Sequence, residues 1–162
     1  MVDFLKDQHL ETEMNHYWTE RSKSYSEQNR AQIENEKRHE WENMILKYAP
    51  QKECLNILDV GTGPGFFAII LAQKGHHVTA VDLTQDMLEQ AKENANHYKV
   101  EVEFKLLENQ FLPFPDNTFD LVVSRDVTWM LQDAEGVLKE WYRVTKKGGK
   151  VLYFDANWYY YL

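Results

Sequence analysis

The chain is short of several things, and each shortage excludes something. One of its 162 residues is cysteine. The lone Cys54 rules out an intrachain disulfide and a thiolate metal cluster, and packing before the first strand accounts for it better than nucleophilic chemistry. No apolar run is long: the longest, Phe66 to Ala72, falls far short of the roughly 20 residues that span a bilayer. Asp3, Lys6 and Asp7 stand where a secretory signal needs apolar residues, so no export is expected. Basic residues are outnumbered, Lys+Arg 18 against Asp+Glu 26, for a net charge of -8. A groove gripping nucleic-acid phosphates needs the opposite balance, so the expected partners include no nucleic acid and no membrane. His16, His39 and His97 lack metal-ligand spacing, and no metal is expected. What remains is an acidic, cytoplasmic chain, 43% hydrophobic and 27% charged, of a size that suits one domain.

Two textures divide it. Residues 1–50 are polar and helical, and 51–162 form the expected core. Asn15 to Tyr25 suggests a short helix loosened by Ser22, Ser24 and Ser26, and Ile33, Lys37, Trp41, Met44, Ile45 and Tyr48 share a helical stripe closed by Pro50. From Leu55, strands alternate with helices. Leu55–Val60 is strand-like, Phe66–Lys74 helical up to Gly75, and His77–Val81 a second strand. Thr84 is placed to cap a helix carrying Met87, Leu88, Ala91 and Ala95 on one face. Val100–Leu107 reads as an edge strand, and Phe119–Ser124 as a central one after the turn-rich Leu112–Asn117. Asp133 starts a helix that Gly148 and Gly149 terminate, before a last strand over Lys150–Asp155. This alternation specifies an α/β fold: a doubly wound, mainly parallel Rossmann-like sheet of about five strands with helices on both faces.

In such a sheet ligands sit beyond the carboxyl ends of the strands. The first strand ends in Asp59-Val60-Gly61-Thr62-Gly63-Pro64-Gly65, and the second in Asp82. A glycine turn opening a helix, with an acid about twenty residues on, is a nucleoside-binding arrangement. A dinucleotide site would need a third glycine where Phe66 stands. The D-x-G-x-G-x-G spacing instead resembles class I S-adenosylmethionine-dependent methyltransferases. The likeness continues through Val78–Leu88, Leu106–Phe114, Phe114–Ser124 and Trp141–Gly149, in the family's order.

The resemblance implies S-adenosyl-L-methionine as cofactor and a role for each matching position. Gly61 and Gly63 would let the backbone approach the methionyl part, with Asp59 orienting the loop or meeting the ammonium. Asp82 would hold the ribose diol, and Leu83 and Met87 would clamp sugar and adenine, although plain packing explains Met87 equally well. Glu108 stands where the family usually has an aspartate facing the adenine amino group, and the Asn109 N–H would meet the ring. Thr62, Gln110 and Ser124 complete the core's candidate contacts. Tyr17, Arg21 and Tyr25, with Trp18, would close the site as a lid, aromatic faces suiting a sulfonium.

Methyl transfer is an in-line displacement with a pre-activated electrophile, so alignment and water exclusion suffice for many acceptors. If a base is needed, Asp126 after the fourth strand or Asp155 after the fifth are candidates, beside Arg125, Trp129, Asn157 and Trp158. Ser124-Arg125-Asp126-Val127 lacks the signature of base-amino methylation, and with the acidic balance a small molecule is the leading acceptor class, protein methylation staying open. The family's sheet usually adds an antiparallel C-terminal hairpin, and only Ala156 to Leu162 follow the last strand here. The expectation is a truncated chain whose exposed fifth-strand edge and aromatic tail pair as a homodimer. Two other readings stay open: a catalytically silent cofactor-binding module, and a nicotinamide oxidoreductase.

Overall fold

A computed structural model describes residues 4–128 and 131–156. Two helices lead, α1 (Phe4–Ile33) and α2 (Lys37–Tyr48). Then follow β1 (Asn56–Val60), α3 (Phe66–Gln73), β2 (His77–Asp82), α4 (Gln85–His97), β3 (Glu103–Leu106), β4 (Phe119–Arg125), α5 (Ala134–Val144) and β5 (Thr145–Phe154). The strands form one parallel sheet in the order β3-β2-β1-β4-β5. The order reverses between β1 and β4, which makes the carboxyl ends of those two strands the switch point.

The two sheet faces bury different residues, as the period of two requires. One packs Ile57, Val78, Ala80, Leu121 and Val123 under α3, whose residues Phe66–Leu71 are all buried. Ile33 and Ile45 of the leading helices join that same cluster. The other packs Leu58, Val60, Val81 and Val122 against Val137, Trp141 and Val144 of α5. Asp133 caps α5, its side chain accepting from the Gly136 N–H.

Several local expectations need correction. The short Asn15–Tyr25 helix is part of one 30-residue helix, α1. Ser22 and Ser26 do not loosen it; both are buried, and Ser26 pairs with Asn94 of α4. The stripe expected from Ile33 to Tyr48 is broken between α1 and α2, where Asn35 Oδ1 accepts from the Lys37 N–H at 2.8 Å. Thr84 precedes α4 without capping it through its side chain. Gly148 and Gly149 do not stop α5. Thr145 does, donating its hydroxyl to Trp141 O at 2.7 Å and turning extended. The two glycines lie inside β5, at the register jump opposite Phe119 and Leu121. A Cβ on Gly149 would come within 2.7 Å of Asp120 O. β3 is shorter than Val100–Leu107, and it is an edge strand as expected.

Candidate functional site

β1 delivers Asp59 and then a turn in which Gly61, Gly63 and Gly65 all take positive φ, at 69°, 54° and 93°. That is the left-handed region glycine enters without cost. Gly61 and Thr62 donate their N–H groups to Val81 O at 2.9 and 3.0 Å, and Gly63 donates to Asp82 Oδ2 at 2.8 Å. The turn is thereby bonded to the end of β2. Its surroundings are close: a Cβ on Gly61 would collide with Val127, one on Gly63 would touch the Tyr25 ring at 3.6 Å, and one on Gly65 would meet Ala91 at 3.3 Å.

Two carboxyls lie beneath this turn. Asp59 is 2% exposed and accepts from Thr62 Oγ1 at 2.7 Å. Burial pushes its pKa to about 7, against the lowering effect of the Thr62 and Ala68 donors and with a further push from Asp82. Asp82 is also raised by burial, although the Gly63, Thr84 and Leu83 N–H groups favour its anion. Each of its oxygens accepts one of these bonds, Oδ2 from Gly63 and Oδ1 from Thr84 at 2.9 Å. The Leu83 N–H and the Thr84 hydroxyl also favour the anion, so the carboxylate's roughly four acceptor positions are all addressed by the turn and the start of α4, and a ligand hydroxyl would share or displace one of these donors.

The other positions singled out in the sequence lie around this turn and along α1. Leu83 is 41% exposed beside Asp82, whereas Met87 is buried in the core and serves packing. The Leu107 N–H donates to Asp82 O at 2.8 Å, which brings Glu108, Asn109 and Gln110 to the same side of the turn. Asn109 Oδ1 accepts from the Phe111 N–H. Ser124 is buried, its hydroxyl donating to Val60 O at 2.9 Å, so it ties β4 to the end of β1. Tyr25 lies over Gly63, and burial raises its pKa, with Arg125 opposing and Asp126 adding to the shift. From it an aromatic ladder runs outward along α1, Tyr25 to Trp18 and Trp18 to Tyr17, with Arg21 stacked on Tyr17 at 4.5 Å. Tyr17 and Arg21 lie at the exposed outer end.

At the carboxyl ends of β4 and β5, Asp126 takes a φ of 56° and accepts from the Ala156 N–H. Asp155 is raised by burial, held against that by the Thr128 and Val127 N–H groups and raised further by Asp126. The structure thus brings the two acids together. Arg125 lies over the rings of Trp41 and Phe66, at 4.7 and 5.4 Å, and donates to Gln32. Trp129, Asn157, Trp158 and the aromatic run to Leu162 lie outside the described residues.

Residues at the opposite end of the sheet are structural. Cys54 Sγ contacts Gly75 O at 3.4 Å, and His76 Nδ1 accepts from the Leu55 N–H. Burial keeps the His76 pKa below the ordinary imidazole value. An open hollow of about 1040 Å³ also lies there, lined by Asn56, His77 and Glu103, away from the glycine turn. Among the described residues no group of His, Cys, Asp and Glu is arranged to hold a metal, and no helix is long and apolar enough to cross a membrane.

Two contributors were missed in the sequence. Asn94 is wholly buried and holds Pro64 O. It was detectable as the polar residue on the Met87–Ala95 stripe, three positions after Ala91. Arg143 donates to Leu112 O and Phe114 O, pinning the connection that carries Glu108 to Gln110, and nothing local in the sequence marks it.

A methyltransferase domain model matches residues 58–153. Malonyl-[acyl-carrier protein] O-methyltransferase of Erwinia billingiae is 37% identical over 111 residues, 67% of this chain and 42% of that protein. Phosphoethanolamine N-methyltransferase of Triticum aestivum is 37% identical over 100 residues, 61% of this chain and 20% of that one. A Methanococcus maripaludis crystal structure, provisionally assigned as an S-adenosyl-L-methionine-dependent methyltransferase, superposes with a TM-score of 0.75 at 26% identity. It covers 85% of this chain and 64% of that one. The chain spans about two fifths of the length of the Erwinia relative.

Proposed function

From the premise that this chain belongs to the methyltransferase domain family, we propose that it binds S-adenosyl-L-methionine at the glycine turn and directs methyl transfer to a small-molecule acceptor. The observation that carries the reading is Asp82, a half-buried carboxylate at the carboxyl end of β2 whose oxygens accept from the Gly63 and Thr84 N–H groups, which fixes the acid against the glycine turn. Ribose hydroxyls would share that carboxylate with the turn. The site fits the cofactor on further grounds. A turn of positive-φ glycines admits close backbone approach. Two neighbouring acids, the buried Asp59 and the half-buried Asp82, suit a ligand carrying ammonium and sulfonium charge.

When bound, the cofactor supplies an activated methyl group. The protein's part is to bind, orient and exclude water. Gly61 and Gly63 would line the methionyl side, and Asp59 would orient the loop or meet its ammonium. Leu83 would cover the sugar and adenine, and Glu108, Asn109 and Gln110 would border the ring. α1, as the lid segment within residues 1–50, sets Tyr25 over the turn. If the acceptor holds its proton tightly, Asp126 or Asp155, the acids at the carboxyl ends of β4 and β5, would take it. A small molecule is the acceptor class we propose, in keeping with the acidic net charge and with the phosphoethanolamine named for the wheat relative.

We also propose that copies of this chain pair along the outer edge of β5. That edge has no strand beside it among the described residues, and Tyr153 on it is 52% exposed. The nicotinamide alternative is disfavoured by Phe66, a buried core residue where a dinucleotide site needs glycine. Titration calorimetry with S-adenosyl-L-methionine and with NAD tests the cofactor reading. Heat from the first alone is expected, and heat from NAD alone overturns it. Turnover on a panel of small acceptors then separates an enzyme from a silent binding module.

A further inference from the structure

The glycine turn is anchored from two directions. Gly61, Thr62 and Gly63 are bonded to Val81 and Asp82 of β2, and those bonds form with the sheet itself. Pro64 is held from elsewhere: its carbonyl accepts from Asn94 Nδ2 on α4 at 2.9 Å. Asn94 has no exposed surface. Its Nδ2 also donates to Ser26 Oγ at 3.0 Å, and its Oδ1 accepts from Arg30 Nε. Both donors and the acceptor of this one amide are therefore divided between the turn and α1.

Ser26 is itself buried and Arg30 half-buried, so this contact is internal to the α1–α4 seam. One turn of α1 before Asn29, Tyr25 lies on Gly63. α1 thus touches the glycine turn directly through Tyr25 and indirectly through Asn94. If α1 leaves, the Asn94 amide loses two of its partners and no longer has a fixed orientation from which to hold Pro64, because a buried polar group is stable only while satisfied.

We propose that Asn94 is a positioning residue that makes the seating of α1 and the ligand-binding shape of the glycine turn one event, so that each stabilises the other. This rests on the cofactor reading above. Such coupling is reciprocal: whatever α1 contributes to cofactor affinity, the cofactor returns to α1 docking.

Three variants separate the two halves of the contact. Arg30→Met and Ser26→Ala remove the α1 partners that orient the Asn94 amide and keep its donor for Pro64. Asn94→Asp keeps an acceptor for Arg30 and has no donor for Pro64. The probe is S-adenosylhomocysteine, titrated by calorimetry, with hydrogen exchange of α1 and of the Gly63 and Gly65 amides followed with and without it. In the wild type, ligand should slow exchange in α1. Arg30→Met should bind about tenfold more weakly and, with no ligand present, exchange its Gly63 and Gly65 amides faster. Asn94→Asp should also bind ligand more weakly, and without transmitting protection to α1. Should Asn94→Asp fail to fold, Arg30→Met and Ser26→Ala carry the same test. Wild-type affinity and unchanged turn exchange in folded Arg30→Met and Ser26→Ala overturn the coupling. Absence of wild-type binding overturns the cofactor reading instead, and the ligand-free exchange still decides the coupling.

Discussion

Replacing Asp59 by asparagine should make the protein more stable at alkaline pH and worse at holding its cofactor. The carboxyl is 2% exposed and its pKa stands at about 7, against an ordinary 3.8. Between those two values the folded chain binds a proton that the unfolded chain has released, so Asp59 causes stability to fall as pH rises from about 4 to about 7 and has no further effect above that. At about 1.4 kcal/mol per pKa unit the whole span is on the order of 4 kcal/mol. An asparagine keeps the shape and an oxygen for the Thr62 hydroxyl while removing the charge. The Asp59→Asn variant should therefore exceed the wild type by about 2–4 kcal/mol at pH 8.5 and by about 1–2 kcal/mol at pH 5. Urea denaturation of both proteins at both pH values measures this, and taking the difference cancels shared groups such as His76. That imidazole, with its pKa lowered, acts in the opposite sense, adding stability as pH rises through its range. A difference that is the same at both pH values, or that shrinks as pH rises, refutes the argument. On the proposed reading the stabilised variant should also lose cofactor affinity, since a cationic ligand would lose a neighbouring anion.

Other expectations follow from the same geometry. Asp82→Ala should remain folded and lose at least about tenfold in S-adenosyl-L-methionine affinity by calorimetry, since two charge-assisted hydrogen bonds to the ribose disappear. Gly61→Ala should cost about 1–3 kcal/mol in denaturation, because alanine is strained at a φ of 69° and its methyl collides with Val127. Pairing it with Val127→Ala should recover the steric part only. Sedimentation equilibrium should show self-association that weakens when a lysine replaces the exposed Tyr153 on the β5 edge; a monomer at all concentrations refutes the proposed pairing.

Much of the core was readable because its signals are local. The five strands, the sheet class, the glycine turn and the acid closing β2 all follow from runs of apolar residues, glycine spacing and one carboxylate at a strand end. The errors fell where a polar residue has a distant partner. Ser22 and Ser26 read as helix breakers, yet both are buried, and Ser26 bonds α4 across the α1 seam. Gly148 and Gly149 read as a helix stop, yet they lie within β5, where a side chain on Gly149 would clash with Asp120 of the neighbouring strand. Arg143 carries no local mark of its role, and it pins a connection 29 to 31 residues upstream.

By itself, then, the amino-acid order determined the alternation of elements, the binding turn and its acid, because backbone conformation and apolar periodicity depend on near neighbours. The covering helix was expected from the resemblance, and only the tertiary structure decided that Tyr25 is the residue over the turn and how helix and turn are joined. The partners of a buried amide such as Asn94 lie 30 and 68 residues away, and nothing short of the packed chain brings them within hydrogen-bonding reach.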